Sequence, residues 1–322
     1  MKAIVAERYG TPDVLQLKEL PTPVPKPGEV LVRVHAASVN DWDWENLRGQ
    51  LLLTRLLNGL FTPKIRILGG DIAGRVEAVG SQATRFQPGD AVYGDLCMSG
   101  FGAFAEYVCA PETCLAPKPP GMTFEQAAAI PQAGMLAVQG LIDVGGIQRG
   151  QTLLLNGAGG GVGTFALQIS RLYDARVTVV DKGSKLDMLR ALGAEHVIDY
   201  LNEDFTGSGR TYDLILDAKM TRSPLAYLRA LNPHGSYVTV GGHIPRLVQL
   251  GLLSRPIARF SDKRVRLVGL KPNKDLAYMN QLFEEGALLP VVDHVYTLAD
   301  VPDALRRFGT GAHTGKIVIR VS

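Results

Sequence analysis

TLLLNGAGGGVG, residues 152 to 163, decides how the rest of the chain is read. Thr152 to Leu155 is an apolar run suited to a buried strand, and a glycine-rich turn follows at once. Beyond it, Phe165, Ala166, Ile169 and Leu172 recur at helical spacing. Strand, tight turn and helix, with Ala158, Gly160 and Gly163 in a G-x-G-x-x-G-like pattern, form the context in which a dinucleotide pyrophosphate is bound. Gly160 lets backbone approach the phosphates, and Gly163 lets the helix pack close to the strand. The helix N-terminus adds free N–H groups and a positive dipole end. Ala158, Gly159, Gly160, Gly161, Val162 and Gly163 are therefore the candidate phosphate-binding residues. The next apolar run, Arg176 to Val180, ends in Asp181, 18 residues after Gly163. That is close to where a ribose-binding acid stands in such folds.

Outward from this unit, strands and helices alternate. Strand candidates are residues 153–155, 177–180, 196–198, 214–216, 237–240 and 265–270, with helical patterns over 185–192 and 223–231. Six strands with crossovers imply a parallel, doubly wound sheet. Before it the pattern differs. Residues 2–7 and 15–20 read as paired strands, and residues 29–37, 74–79, 91–93 and 103–108 as further short ones between Gly/Pro turns, which predicts a barrel-like β domain. The composition shifts near Lys118-Pro119-Pro120-Gly121, and Thr123 with Gln126 predicts a capped helix start. Late in the chain, residues 275–285 and 299–308 read as helices and 291–296 and 316–321 as strands, the last able to pair back into the N-terminal domain.

At 322 residues the chain is long enough for two domains. Its hydrophobic content of 46%, charged content of 20% and net charge of +3 are ordinary, and scattered basic residues give no case for nucleic acid. No apolar run reaches the ~18 residues of a membrane span. Met1 to Val5 opens straight into a strand pattern, with no signal peptide in view. Three cysteines, Cys97, Cys109 and Cys114, without a C-x-x-C, suit a reducing compartment. Cytoplasmic placement is the expectation.

Several motifs in order along the chain carry a resemblance. They are Ala37-Ser38-Val39-Asn40, Leu68-Gly69-Gly70-Asp71 with Ile72-Ala73-Gly74, Gly102-Ala103-Phe104-Ala105-Glu106-Tyr107, the glycine turn, Leu192-Gly193-Ala194, Val197-Ile198-Asp199-Tyr200, Tyr212 to Ala218, and Gly315-Lys316-Ile317-Val318. The chain resembles the medium-chain dehydrogenase/reductase superfamily, in the zinc-free quinone-oxidoreductase-like branch. The resemblance implies an α/β fold: a Rossmann domain over 121–272 inserted in a GroES-like β-barrel domain made of 1–120 and 273–322. It also implies a homodimer.

Zinc relatives place a cysteine where Asn40 stands and Gly-His-Glu where Gly69-Gly70-Asp71 stands. A third ligand cysteine after the linker and a four-cysteine structural loop are missing too. Catalytic zinc needs about three convergent ligands, so no metal is expected. What remains is hydride transfer by positioning to an acceptor that is already electrophilic, a quinone or an α,β-unsaturated carbonyl. Asn40 could donate its amide to the charge that develops, and Asp43 stands three residues on; both also suit plain turn chemistry. A tyrosine and a threonine that relatives often carry are replaced near Glu45 and Leu136, so no proton donor is named. The apolar segment 50–61 is expected as a short helix over a hydrophobic substrate pocket, with Trp42 and Trp44 nearby.

Cofactor choice stays open. Asp181 suits a ribose 2′-hydroxyl and NADH, whereas Lys185 and Tyr200 match positions that hold the 2′-phosphate of NADPH in related quinone oxidoreductases, and the resemblance favours NADPH. Gly241 and Gly242 are expected near the nicotinamide, and Lys219 has no assigned role. Two rivals stand beside the quinone or enone reductase: a zinc-free aldehyde or ketone reductase, and a weakly catalytic dinucleotide-binding protein acting on RNA or a protein partner.

Overall fold

Leu153, Leu154 and Leu155 are all buried, as a central strand flanked on both faces requires. The computed structural model, which describes residues 1–50, 55–56, 58–242 and 244–322, places them in such a strand. The chain divides into two compact units, residues 1–133 with 272–322 and residues 134–271. Residues 121–133 thus fall in the first unit.

In chain order the strands are β1 (Lys2–Ala6), β2 (Leu15–Glu19), β3 (Glu29–Ser38), β4 (Asp71–Val79), β5 (Ala91–Asp95), β6 (Tyr107–Pro111) and β7 (Leu115–Pro117). Then follow β8 (Thr152–Asn156), β9 (Arg176–Asp181), β10 (His196–Asp199), β11 (Tyr212–Asp217), β12 (Leu231–Thr239) and β13 (Arg264–Leu267), and last β14 (Val292–Thr297) and β15 (Lys316–Arg320). In the first unit one sheet runs β14-β15-β3-β4-β5-β7, with β6 paired to β3, and β1-β2 form a hairpin. β15 pairs antiparallel to β3, so the late strand closes onto the early ones. Val30, Val32 and Val34 are wholly buried in its core with Phe104, Ile317 and Ile319.

The second unit is one parallel sheet in the order β10-β9-β8-β11-β12-β13, the doubly wound arrangement with its topological switch at β8 and β11. The glycine turn after β8 therefore lies where such sheets bind ligands, beyond the carboxyl ends of the strands.

Four local differences from the sequence pattern have physical causes. The strand expected over 103–108 is displaced to β6. Phe101 and Gly102 have φ of 63° and 111°, and the Ala103 and Phe104 N–H groups donate to Gly69 and Leu68. Asp41–Arg48 forms a helix, α1, that the sequence pattern did not mark; the Asn40 N–H donates to the Asp43 carboxylate and starts it. β12 begins at Leu231 and passes through Pro233, where the register with β11 shifts. Ile244–Phe260 is a long helix that Gly251 and Pro256 conceal in the sequence. Of the expected helix over 50–61, residues 51–54 and 57 lie outside the described residues. Arg55 stands over the Tyr9 ring at 5.0 Å.

Candidate active site

Three neighbouring strands of the first unit put Ser38, Asp71 and Asp95 in one row. Ser38 is opposite Asp71 on β3 and β4, and Asp71 is opposite Asp95 on β4 and β5. All three side chains are buried, and so are Asn40, Asp43 and Lys316. Buried charges need partners, and these have them. The Asp71 carboxylate accepts from Ser38 Oγ at 2.8 Å, from Asn40 Nδ2 at 2.8 Å and from the Gln132 N–H at 3.0 Å. The Lys316 ammonium lies 3.3 Å from Asp71 Oδ2, donates to the Val39 carbonyl at 3.1 Å, and donates to Asn40 Oδ1.

This network fixes the Asn40 amide. An ammonium can only donate, so Oδ1 must face Lys316 and Nδ2 must face Asp71. One Nδ2 hydrogen goes to Asp71; the other carries no bond among the described residues. Asp43 is fully enclosed, accepting from the Asn40 and Gly69 N–H groups at 2.9 and 2.8 Å. Burial nevertheless pushes its carboxyl up to about 7. Asp95 is raised to about 6, by burial first and by Asp71 second. It accepts from the Cys97 N–H and thiol, and that thiol is pushed up by burial and by Asp95.

The residues present do not fit catalytic zinc. Asn40 gives a neutral amide already tied to an ammonium, Gly70 gives no side chain, and Asp71 is spent on four donors. Among the described residues no group of three or more His, Cys, Asp or Glu is placed to hold a metal. A lysine cation and amide donors stand where the resemblance would look for metal ligands.

In the second unit the glycine turn is built for close approach. A Cβ on Gly163 would stand 2.3 Å from the Ala158 Cα, so helix Gly161–Arg171 packs against the turn only with glycine there. At Gly160 a Cβ would meet only the Gly157 carbonyl, at 3.6 Å, so that face of the turn is open. The first N–H groups of this helix have no intrahelical acceptor, which fits a pyrophosphate.

Asp181 lies beside the turn and accepts from the Gly159 N–H at 2.7 Å and the Lys182 N–H at 2.8 Å. Lys185 pairs with it at 3.7 Å, both side chains being buried. The Tyr200 N–H donates to the Asp181 carbonyl at 3.3 Å, while its ring is exposed. Asp181, Lys185 and Tyr200 are thus brought together with Gly159.

Sequence reasoning gave Lys219 no role, and it belongs here too. Asp217 is wholly buried and accepts from Asn156 Nδ2, the Lys219 and Met220 N–H groups and the Tyr237 hydroxyl. That fixes the loop so that the Lys219 stem lies along Gly157, 2.8 Å from where a Cβ would stand. Met220 meets Gly242 in the same way, at 2.4 Å, and Gly241 is half-buried beside it.

Residues 26–120 match the family model described as alcohol dehydrogenase GroES-like domain, and residues 192–319 the one described as zinc-binding dehydrogenase. The chain is 32% identical to the NADPH-dependent alkenal/one oxidoreductase, chloroplastic, of Arabidopsis thaliana, over 99% of this chain and 79% of that protein. It is 31% identical to the quinone-oxidoreductase homolog, chloroplastic, of Spinacia oleracea, over 99% and 98%. The solved quinone oxidoreductase from Coxiella burnetii superposes with a TM-score of 0.88 at 29% identity, covering 100% of this chain and 99% of that one. With this fold, this strand order and these relatives, the chain belongs to the medium-chain dehydrogenase/reductase superfamily, in its quinone-oxidoreductase-like branch.

Proposed function

We propose that the chain is a zinc-independent NAD(P)H-dependent reductase that transfers a hydride to a quinone or to the C=C bond of an α,β-unsaturated carbonyl. The observation that carries this is the Lys316–Asn40–Asp71 network, which fills the would-be metal position of a dinucleotide-binding oxidoreductase with amide and ammonium groups. A bound nicotinamide supplies the hydride. The protein's part is to hold the acceptor and to meet the charge gathering on its oxygen with hydrogen bonds. In an enone, hydride joins the β-carbon, the π electrons move onto the carbonyl oxygen, and solvent delivers the proton. Asn40 contributes its second Nδ2 hydrogen. Asp43 acts as a positioning residue, holding Asn40 and Gly69 by their N–H groups.

Ala158 to Gly163, with Gly241 and Gly242, hold the dinucleotide, and Lys219 gives its phosphates a cation. NADPH is the preferred form in this reading. Both Asp181 oxygens are engaged by backbone donors, and Lys185 offsets the charge that would repel a 2′-phosphate. The name of the Arabidopsis relative states NADPH dependence for that protein.

Oxidation of NADPH and of NADH, followed by absorbance against panels of quinones, enones and saturated aldehydes with and without a chelator, tests the reading. Chelator-insensitive turnover on quinones or enones supports it. Turnover only on saturated aldehydes, or loss on chelation, overturns it. Two finer points belong to the same reading. An exposed Leu267 on edge strand β13 supports self-association as a homodimer, which light scattering at two concentrations checks. Three free cysteines support a reducing, cytoplasmic setting, which imaging of the tagged protein in its own cell checks.

A further inference from the structure

Gln132 is the second residue of helix Pro131–Val138 and only 4% exposed. Its backbone N–H is tied to Asp71 Oδ1, so the residue is anchored on the same carboxylate that orients the Asn40 amide through Oδ2. Its side chain reaches toward the Cys97 thiol, whose upward shift it slightly opposes. Apart from that thiol, a weak acceptor toward which it points as a donor, Gln132 Nε2 has no hydrogen-bond partner among the described residues. Buried amide groups are paired as a rule, and an exception calls for a reason. The surroundings sharpen the point: Ser38, Asn40, Asp43, Asp71, Asp95 and Lys316 all have partners. Beside the second Nδ2 hydrogen of Asn40, the Gln132 NH2 group is what this network leaves without a strong acceptor.

We propose that Gln132 is a catalytic residue whose carboxamide donates to the acceptor's carbonyl or quinone oxygen, next to the second Nδ2 hydrogen of Asn40. The inference rests on the reductase reading and supplies it with a donor that the sequence did not reveal. The substrate oxygen supplies the acceptor that Nε2 lacks. As hydride joins the acceptor carbon and the electron pair moves onto that oxygen, both amides hold the negative charge. Solvent then protonates the product, and Gln132 forms and breaks no covalent bond. Two preorganised N–H donors aimed at a developing oxyanion are worth most where water is excluded, as it is around this carboxylate cluster.

Gln132→Met keeps the length and removes the donor. Expected are a kcat on an enone or quinone lower by about 100-fold, the range for losing one oxyanion donor, and NADPH affinity by fluorescence titration within about twofold of wild type, as expected for a residue outside the nucleotide site. The melting temperature should be unchanged or higher, because an unpaired buried donor contributes nothing to stability. Gln132→Glu should be as slow at pH 8 and recover in part near pH 5, where a protonated carboxyl again offers a donor. Wild-type-like turnover in Gln132→Met overturns the proposal. So does failure to fold or a lower melting temperature, since the NH2 would then have a structural partner. If the wild-type protein itself turns over no quinone or enone, the reductase reading falls first and this inference with it. An active wild type with an unaffected Gln132→Met removes this inference alone.

Discussion

Lys316 on β15 and Asp71 on β4 form an ion pair at 3.3 Å whose side chains are 4% and 0% exposed. Asp43 and Asp95 are buried close enough to feel the same cation. Replacing one member of a buried pair costs about 3–5 kcal/mol, because the other charge is left uncompensated. Lys316→Met should therefore lower stability by that order in urea unfolding. Combining it with Asp71→Asn should cost less than the two single changes added together. Additive costs would mean that the pair is not coupled.

Asp43 gives a pH dependence whose sign is fixed. Its carboxyl is raised to about 7 in the folded protein, against about 3.9 in an unfolded chain. Between those values the unfolded state has lost the proton and the folded state keeps it, so stability falls as pH rises through the window and levels off above about 7. Asp95, raised to about 6, adds a fall of the same sign that ends earlier. Asp13, Asp213 and Asp293 are held below their usual range and act oppositely, at more acid pH. Asp43→Asn should flatten the decline in melting temperature between pH 5 and pH 7. It should also cost about 1–3 kcal/mol, since an amide NH2 cannot accept from both the Asn40 and Gly69 N–H groups. An unchanged pH slope would remove Asp43 as its source.

Lys185 and Asp181 predict coenzyme preference. Lys185→Met leaves Asp181 without its cation. The NADPH-to-NADH ratio of kcat/KM should drop by about tenfold or more, the size of one charge-assisted contact. A ratio that does not move would assign 2′-phosphate binding to other residues.

Lys219 predicts a phosphate contact. Its stem is held along Gly157 by the bonds from its own and the Met220 backbone to Asp217. Lys219→Met should weaken ADP-ribose binding in calorimetry by about five- to tenfold, less at high salt, and leave adenosine binding unchanged. Equal loss for adenosine would point to a distorted loop instead.

What could be read in the sequence was local. The glycine turn, Asp181 and the buried runs of the parallel sheet carry their signal within a few residues, and the structure places them as β8, β9 and their neighbours. Helix α1 was hidden because its start uses Asp43 rather than the Glu or Gln of the usual capping pattern. Gln132 offered no signal at all. A glutamine after a proline is ordinary, and its meaning comes from Asp71, 61 residues away. The setting of the Asn40 amide could not be read at all from its neighbours in sequence: which of its atoms faces which partner is decided by Lys316, 276 residues away.

That long separation has a consequence for synthesis. Lys316 follows Asp71 by 245 residues. At ~5–20 residues per second, roughly 10 to 50 seconds pass on the ribosome between the appearance of the acid and that of its cation. Meanwhile Ser38, Asn40 and Asp71 stay hydrated and the first sheet lacks β15, while all of residues 134–271 emerge and can fold as their own unit. The chain is therefore expected to mature from the inside of its sequence outward, with the nucleotide-binding half finished before the carboxylate cluster can dry.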